Sequence, residues 1–242
     1  MTAGRSAATH AAAGAVGASW SSDAWDAHVR AHPKATYLQV EAWARVKAAT
    51  GWSSTIVGEP SASAPVGARL LTRPIPVLPW RFAYAPRGPL ADTWNEATHA
   101  AWTRSLRDAA RHGGGLERTA IVRMDPEIEE AEPIEAALVS SGWRRAHDMQ
   151  PRRTRIVDLT ADEEALWSEL RKKWRQYVNK ARSNGIVVRD VDPTVETTAF
   201  DTFHEVMREV SKRTALPLRS AATFREVWEA FAPTGESRLL FA

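Results

Sequence analysis

The chain of 242 residues has no cysteine, no uncharged apolar run that approaches the roughly 20 residues of a membrane helix, and a net charge of only +3. The lack of cysteine excludes a disulfide scaffold and thiolate zinc sites, and it makes the cytoplasm the default expectation. No transmembrane segment is expected. The small net charge favours a localised basic site over a uniformly cationic surface.

Several common chemical signatures are also missing. No Gly-rich phosphate loop, zincin helix or nucleophile elbow is present. His28 and His32 are spaced to share a helix face, but they lack a third ligand, so no metal site is expected. Residues 1–18 are mostly Ala, Gly, Ser and Thr and lack the leucine-rich core of a secretory signal, so we expect a disordered tail there.

One stretch is both strongly helical and strongly basic. Thr160 and Glu163 have the spacing of a capping box, and Gly185 is typical of a helix C-terminus, so the pattern predicts one helix between them. An apolar stripe at helical spacing is expected to pack inward. That stripe consists of Leu166, Leu170, Trp174, Tyr177 and Ala181.

The segment from Arg171 to Arg189 carries seven Lys or Arg residues and no acid. On the predicted helix, Arg171, Arg175 and Arg182 cluster on one flank. Phosphate is the expected anion for this flank, with an ordinary solvated helix face as the alternative.

The order of predicted elements repeats. Helices lead into a strand meander, then into a strand that ends at a turn at Asp125 and Pro126, and a second round begins after Pro151. Strands are predicted at residues 53–57, 66–72, 81–85, 143–149 and 154–159, and Ser220 is predicted to cap a helix. The sequence thus predicts an α/β (α+β) class with domains at 19–150 and 151–242. The second is expected to be incomplete, because the chain stops in an apolar run typical of the start of a sheet.

Four motifs in order resemble the Fem family of aminoacyltransferases (FemA, FemB and FemX type). The match spans most of the chain after its first residues, and each motif alone is weak. The motifs are Gln39-x-x-x-Trp43-x-x-x-Lys47 with Gly51-Trp52, Tyr84-Ala85-Pro86-Arg87-Gly88-Pro89, Lys173-Trp174-Arg175-x-x-Val178-x-x-Ala181 with Gly185-Ile186, and Phe203-x-x-x-Met207 leading to Arg213.

The resemblance implies tandem GNAT-like domains that transfer an amino acid from aminoacyl-tRNA to the stem-peptide amine of a peptidoglycan precursor. It implies no cofactor, because aminoacyl-tRNA is the donor substrate. Lys47 and Arg213 match family positions that bind precursor phosphates across a cleft between the domains, and Tyr84 and Arg87 join them as expected substrate-binding residues. Leu216 and Pro217 stand where some relatives have tyrosine, which bears on precursor preference.

The residues alone are less specific. Lys47 lies on the helix face of Trp43 and could project to a ligand, or it could be a surface lysine above a core tryptophan. Arg87 could meet a phosphate or form a structural salt bridge. The basic flank of Arg171, Arg175 and Arg182 is expected to bind tRNA. No side chain is identified as the general base, so the catalytic residues are unknown.

Two other functions fit the same residues. One is a GNAT-type N-acyltransferase that uses acyl-CoA, although the usual pyrophosphate signature is absent. The other is a non-catalytic RNA-binding protein built around the basic helix. In the preferred interpretation, the acceptor is a UDP-MurNAc-peptide or a lipid-linked precursor, and the protein can contact the inner membrane face peripherally.

Overall fold

The computed structural model describes residues 20–60, 65–129, 134–154 and 156–242. Contacts divide the chain into two compact units. The first combines the described part of Met1–Val40 with Ser53–Ala146, and the second combines Glu41–Trp52 with His147–Ala242. The sequence assigns residues 41–52 to the first domain, whereas their contacts lie in the second unit. The predicted tail at residues 1–18 falls outside the described residues.

Eight helices and seven strands follow one another in the described residues. In chain order they are α1 Ser22–Ala31, α2 Glu41–Ala48, β1 Ser53–Glu59, β2 Val66–Pro74, β3 Arg81–Ala85, β4 Leu90–Ala91, α3 Glu96–Arg111, β5 Thr119–Met124, α4 Glu135–Ser140, α5 Glu163–Glu169, α6 Lys172–Ser183, β6 Arg189–Val191, α7 Ala199–Thr214, α8 Ala221–Phe231 and β7 Leu239–Phe241. Short 3-10 helices occupy Tyr37–Gln39 and Ala232–Thr234.

The first unit is built on a mixed sheet. Strands β1, β2 and β3 form an antiparallel meander, β4 pairs with β2, and β5 joins β3 in parallel. A parallel neighbour needs a crossover, and α3 lies in the connection between β3 and β5. The mixed α/β class predicted from the sequence is therefore confirmed.

Strand β2 lies between β1 and β3 in this sheet, and both of its faces are covered. Val66, Ala68 and Leu70 belong to the core cluster that includes Trp102 of α3. On the opposite face, a Cβ at Gly67 would lie only 2.9 Å from the ring of Trp25 in α1. Burial on two faces explains why β2 has an almost continuous apolar sequence instead of an alternating one.

The second unit is smaller and mainly helical. Strands β6 and β7 pair antiparallel, with Asp190 opposite Leu240. Their side chains pack on α7 and α8 through Phe200, which meets the Trp228 ring edge-on at 6.0 Å between centroids. Ser220 caps α8 by accepting a hydrogen bond from the Thr223 N–H, as its sequence predicts.

Two predicted strands are wrong. Residues 143–149 and the described residues of 154–159 contain no strand. Instead of pairing in a sheet, Trp143 packs on the core of the first unit, where its indole N–H donates to the hydroxyl of Thr103 on α3 at 3.1 Å. In residues 143–149, Trp143 therefore contributes to the core as a single side chain and not as part of a strand.

Gln39 joins three separate segments of the first unit. Its amide Nε2 donates to the carbonyl oxygens of Pro86 at 2.8 Å and Arg69 at 3.3 Å, and its Oε1 accepts from the Arg69 N–H at 2.7 Å. A Cβ at Gly88 would lie 2.8 Å from Nε2, so only glycine permits this approach. Gln39 is fully buried, and the loop at 86–88 is thereby fixed to β2.

The buried guanidinium of Arg69 completes this network. Its Nε donates to the backbone oxygen of Gln39 at 3.1 Å, and its Nη2 lies 3.0 Å from the Ser22 hydroxyl and 3.1 Å from the Asp26 carboxylate. A buried charge is tolerated only when it is paired in this way. Helix α1 is consequently attached to β2 by polar as well as apolar contacts.

Two histidines, one on α1 and one at its C-cap, have buried ring nitrogens for which the described residues provide no hydrogen-bond partner. The Nε2 atoms of His28 and His32 are both in this state, and His32 Nε2 lies 3.5 Å from Asp92. Burial lowers the pKa of both imidazoles, while the carboxylate of Asp92 opposes the shift. For His32, the positive charges of Lys34 and a protonated His28 also lower the pKa. The folded state therefore favours the neutral rings.

We expect Gln39→Leu to lower the free energy of unfolding by about 3 kcal/mol, because it leaves the Arg69 N–H and the Pro86 carbonyl buried without partners. Urea unfolding of the whole chain measures the change. Gln176→Leu is the matched control, since Gln176 is exposed on α6. Equal stability of the Gln39 and Gln176 variants would contradict the role given to Gln39.

We expect the stability of the protein to fall as the pH drops below 6.5, the ordinary histidine pKa. The reason is that the unfolded chain then binds protons that the folded His28 and His32 resist, and stability is lost as pH falls through the lowered folded pKa. Each histidine contributes at most about 1.4 kcal/mol per pH unit.

Thermal melts across this pH range check the prediction. The double variant His28→Gln with His32→Asn should flatten the dependence, because an amide can accept a hydrogen bond but does not titrate. His147→Asn, at an exposed position, should leave the dependence as in the wild type. A wild-type profile that persists in the double variant would show that other groups cause it.

Candidate functional site

The Tyr84–Pro89 segment forms a turn at the end of β3. The Gly88 N–H donates to the Ala85 carbonyl at 3.2 Å, with Pro86 and Arg87 at the two central positions. Arg87 has φ 52°, which places it in the left-handed region. This is the pattern of a type II turn, which usually has glycine where Arg87 stands, so an arginine there needs support from its neighbours.

Asp125 supplies that support. Its Oδ1 accepts from the Arg87 N–H at 2.6 Å, and its Oδ2 accepts from the hydroxyl of the buried Tyr84 at 2.8 Å. One carboxylate thus joins two residues that the sequence predicts to bind substrate. The parallel pairing of β3 with β5, in which Tyr84 lies opposite Arg123, places Asp125 at this edge of the sheet.

The electrostatics of Asp125 are set by its surroundings. Burial raises the pKa of its carboxyl above the ordinary value, while the hydrogen bonds from Tyr84 and from the Arg87 N–H oppose that shift. The positive charges of Arg87 and Arg123 also stabilise the ionised form. A partly desolvated carboxylate held by fixed donors can position its neighbours and can also exchange a proton.

The Arg87 side chain points along the same edge. Its Nε lies 3.8 Å from a carboxylate oxygen of Glu127, and the Lys34 ammonium donates to the Glu127 carbonyl at 2.9 Å. The salt bridge that the sequence left as one alternative for Arg87 is therefore present. An arginine fork carries five N–H donors, a geometry that suits carboxylate and phosphate groups alike.

Lys47 lies on α2 between two indole rings. Its ammonium is 5.8 Å from the centre of the Trp43 ring and 5.4 Å from that of the Trp52 ring. Cation–π contacts of this kind orient the lysine without neutralising its charge. The helix spacing of Trp43 and Lys47 thus produces the neighbour relation that the sequence suggests, and Trp52 adds to it.

Arg213 lies in the last turn of α7. It borders a surface depression of about 650 Å³ formed along α7, together with Glu205, Glu209 and Lys212. Lys212 is ion-paired with Glu209 at 2.8 Å. Helices α2 and α7 both pack against α8, so Lys47 and Arg213 belong to the same unit. A shared cleft between two domains stays a prediction.

The single basic helix predicted from Thr160 to Gly185 is wrong. The structure has two helices, α5 and α6, with Leu170 in extended conformation between them. The N-cap of α5 is Asp162, whose side chain accepts from the Ala165 N–H, whereas Thr160 hydrogen-bonds to Asp158. The predicted capping box is therefore also wrong.

Arg175 explains the break between the two helices. Its Nη1 donates to the carbonyl oxygens of Ser168 and Leu170, both at 2.7 Å, and lies 3.4 Å from that of Trp167. These carbonyls are at the C-terminus of α5, where backbone oxygens lack helical partners. Arg175 therefore has a structural role as a cap, and the other two arginines are more available to a ligand.

Those two arginines differ in position. Arg171 is the N-cap residue of α6 and is exposed, and the Arg182 guanidinium lies 5.4 Å from the centre of the Trp167 ring. All three arginines lie on α6 or at its N-cap, but Arg175 turns back to the end of α5 and Arg182 lies against Trp167. A role for them in tRNA binding stays a prediction.

The apolar stripe of α6 does not pack inward as expected. Trp174 is 59% exposed and Tyr177 is 50% exposed, and no residue of α5 or α6 is buried. The two rings meet edge-on at 5.9 Å, and the Lys173 ammonium lies 5.6 Å from the Tyr177 ring. The structure thus presents aromatic and basic groups together on one exposed surface.

Among the described residues, the structure has no cluster of three or more His, Asp or Glu side chains arranged for a metal ion. In the same residues, no helix combines the length and the apolar character that a bilayer span requires. Asp125 is the residue that the sequence interpretation missed. In the sequence, Asp125 is only part of an Asp-Pro turn. Its second role appears once β5 pairs with β3 and brings it next to Tyr84.

The comparisons with known proteins agree on one family. A family model described as FemAB family matches residues 20–242. A lipid II:glycine glycyltransferase of Staphylococcus aureus (strain COL) is 27% identical over 226 residues, covering 88% of this chain and 52% of that protein. One from Staphylococcus saprophyticus is 27% identical over 227 residues, covering 89% and 53%.

A solved structure has a similar fold. A crystal structure of FemX matches with a TM-score of 0.74 and 24% identity, covering 91% of this chain and 56% of that one. The chain spans about half the length of the curated relatives it matches. The match to the family covers every residue that the structure describes, including the motifs of Lys47, Tyr84 and Arg213. The chain belongs to the FemAB family.

Proposed function

We propose that this chain is an aminoacyltransferase that moves an amino acid from aminoacyl-tRNA to the stem-peptide amine of a peptidoglycan precursor. The observation that carries the proposal is the FemAB match over residues 20–242. Relatives named lipid II:glycine glycyltransferase favour glycine as the amino acid and a lipid-linked acceptor. The two units correspond to the tandem GNAT-like domains, and the enzyme works in the cytoplasm without a cofactor.

The proposed reaction exchanges an ester for an amide. The neutral amine of the stem peptide attacks the aminoacyl carbonyl, the ester bond to the tRNA ribose breaks, and the amine proton leaves as the ribose hydroxyl is restored. The exchange is downhill, so the enzyme must supply positioning, a route for the proton and stabilisation of the oxyanion. The general base stays unassigned.

Lys47 and Arg213 are proposed to bind the phosphates of the precursor. The rings of Trp43 and Trp52 flank the Lys47 ammonium, and cation–π contacts orient a cation without removing its positive charge. Arg213 stands in a helical turn whose neighbouring Lys212 already pairs with Glu209. Both side chains are cations positioned by helices, Lys47 by α2 and Arg213 by α7, which suits recognition of a phosphate.

Tyr84 and Arg87 are proposed to contact the precursor at the end of β3. Gln39 and Asp125 hold the turn that carries them, one through the Pro86 carbonyl and the other through the Arg87 N–H. A site kept in place by buried hydrogen bonds loses little entropy when a ligand arrives. Asp125 is a positioning residue in this proposal, because it reaches the ligand through Tyr84 and Arg87.

Arg171 and Arg182 are proposed to contact the tRNA phosphates, with Arg175 mainly holding the backbone between α5 and α6. The nearby Trp174 and Tyr177 rings are exposed. Exposed aromatic rings are the groups on which proteins stack unpaired RNA bases. The combination of cations and open rings supports an RNA surface better than cations alone would.

The function is tested by incubating the protein with labelled aminoacyl-tRNAs and each purified precursor, soluble or lipid-linked, and by measuring precursor binding in parallel. Binding of one precursor, with label transferred to it from one aminoacyl-tRNA, is the expected result. Lys47→Ala and Arg213→Ala should each weaken that binding by about 1–3 kcal/mol, the scale of a charge-assisted hydrogen bond.

Lys212→Ala is the control for these two variants, because it removes a cation beside Arg213 that is already ion-paired. Its affinity for the precursor should match the wild type. Failure of every precursor to bind would overturn the proposed function. Normal binding by both alanine variants would overturn only the residue assignment.

For the RNA surface, we expect Arg171→Gln with Arg182→Gln to lower the slope of log affinity against log salt for tRNA by roughly two, since each phosphate contact contributes about one. Arg175 is kept, so that the end of α5 stays capped. Arg145→Gln, an exposed arginine near Glu135, is the control. A slope unchanged from the wild type would place the RNA elsewhere.

A further inference from the structure

The connection between β2 and β3 is a rigid, protruding hairpin tip, defined here as residues 75–80. Pro74 and Arg81 form the last strand pair below it. The tip is closed by a hydrogen bond from the Ile75 N–H to the Trp80 carbonyl at 2.9 Å, and the Leu78 N–H donates to the Ile75 carbonyl at 3.2 Å. Prolines at 76 and 79 restrict the backbone further.

The hairpin tip presents apolar side chains to solvent. Val77 is fully exposed, Leu78 is 53% exposed and Trp80 is 48% exposed. Val77 also has φ 59°, a conformation that a β-branched residue rarely adopts. Gly or Asn would fill this turn position without strain and without exposing an apolar group. A valine there suggests a contact outside the folded unit, because nothing in the local backbone favours it.

The charges around the tip have one dominant sign. The sequence from Pro60 to Ala91 contains four arginines and no Asp or Glu. Arg73 is exposed just below the tip, and Arg81 donates to the Thr72 hydroxyl at 3.0 Å. Just before the neighbouring strand β5, the carbonyl of the exposed Arg118 accepts from the Arg81 N–H at 2.8 Å.

One acidic residue lies at the same end of the sheet. Glu117 immediately precedes Arg118, and its Oε1 accepts from the Gly115 N–H at 3.1 Å, which directs that carboxylate to its own loop. The base of the tip therefore offers arginines to an anionic surface, while the apolar groups extend beyond them.

Shape and composition decide the class of partner. The apolar groups sit on a convex turn, which a folded protein can accept only with a matching pocket, whereas the interfacial layer of a bilayer accepts such a shape directly. Tryptophan is favoured at that depth, and arginines at the headgroup level are attracted to anionic lipids. An apolar tip with cations at its base is the arrangement of a peripheral membrane contact.

We propose that the hairpin tip docks on an anionic membrane surface, with Val77, Leu78 and Trp80 entering the interfacial layer and Arg73, Arg81 and Arg118 facing the lipid headgroups. This docking does not depend on the proposed acyl transfer. If the acceptor is lipid-linked, docking holds the enzyme in the plane where that acceptor lies. Only a shallow contact results, since one hairpin turn is far shorter than a bilayer is thick.

The test uses the whole chain and sedimentation of vesicles in the absence of tRNA and precursor. One set of vesicles is phosphatidylcholine alone, and the other is phosphatidylcholine mixed with phosphatidylglycerol in equal amounts. The protein should bind the anionic vesicles more tightly than the neutral ones. Leu78→Asn should reduce that binding by about tenfold, the scale of one buried leucine side chain, and adding Val77→Asn should reduce it further.

The matched control is Val139→Asn on α4, where the side chain is 57% exposed and distant in sequence from the hairpin tip. It should bind vesicles as the wild type does, and all variants should unfold at the same temperature as the wild type. Arg73→Gln should weaken binding to the anionic vesicles, and Arg107→Gln, exposed on α3, should not.

Other results would overturn the proposal. These are wild-type protein that stays in solution with anionic vesicles, equal binding to both vesicle types, or Leu78→Asn that binds like Val139→Asn. Light scattering of the protein tests the alternative of a protein partner. If the protein forms a dimer that Leu78→Asn disrupts, and does not bind vesicles, the hairpin tip is instead a contact between two copies of the chain. None of these results bears on precursor binding, which is measured separately.

Discussion

The end of the first unit that carries Tyr84 and Arg87 depends on one buried side-chain amide, that of Gln39. Its donors and its acceptor are all used by the backbone of Arg69 and Pro86, and Gly88 leaves it the space to reach them. Because buried polar groups without partners are costly, the turn after β3 cannot move away from β2 unless it unpairs several groups at once. The position of Arg87 therefore follows from the packing of the residues behind it. A surface loop without this anchor would have to be ordered by the ligand itself.

Asp125 holds the other side of that turn, and it does so from a strand that is distant in sequence. Two donors, the Tyr84 hydroxyl and the Arg87 N–H, converge on its two oxygens, and this convergence explains how an arginine can occupy a left-handed turn position. Burial simultaneously raises the pKa of the carboxyl. The same carboxyl group thus stabilises a strained backbone and has a pKa above that of an exposed aspartate. This combination is frequent at functional sites.

The parts of the fold that were correct from the sequence are those set by local pattern. The strands around Val57, Val66 and Arg81 carry alternating or continuous apolar runs, and Ser220 caps its helix as its residue type suggests. The break between α5 and α6 could not be found this way, because helical periodicity continues across Leu170 while the Arg175 guanidinium, acting over several residues, satisfies the carbonyls that end α5. Long side chains that cap a helix leave no periodic signal.

The same limit applies to the site residues. Lys47 beside Trp43 follows from spacing on one helix, whereas Trp52 joins them after a turn, and Asp125 joins Tyr84 only once β5 pairs with β3 in parallel. Periodicity also cannot say whether an apolar stripe is covered. Trp174 and Tyr177 have the spacing of core residues and yet are exposed, and the apolar hairpin tip has no periodic pattern at all. Exposing apolar side chains to water is unfavourable at both surfaces, the Trp174 and Tyr177 surface and the hairpin tip. We therefore interpret each as a contact surface for a molecule outside this chain's own core, and the charge of one sign beside each surface restricts what that molecule is.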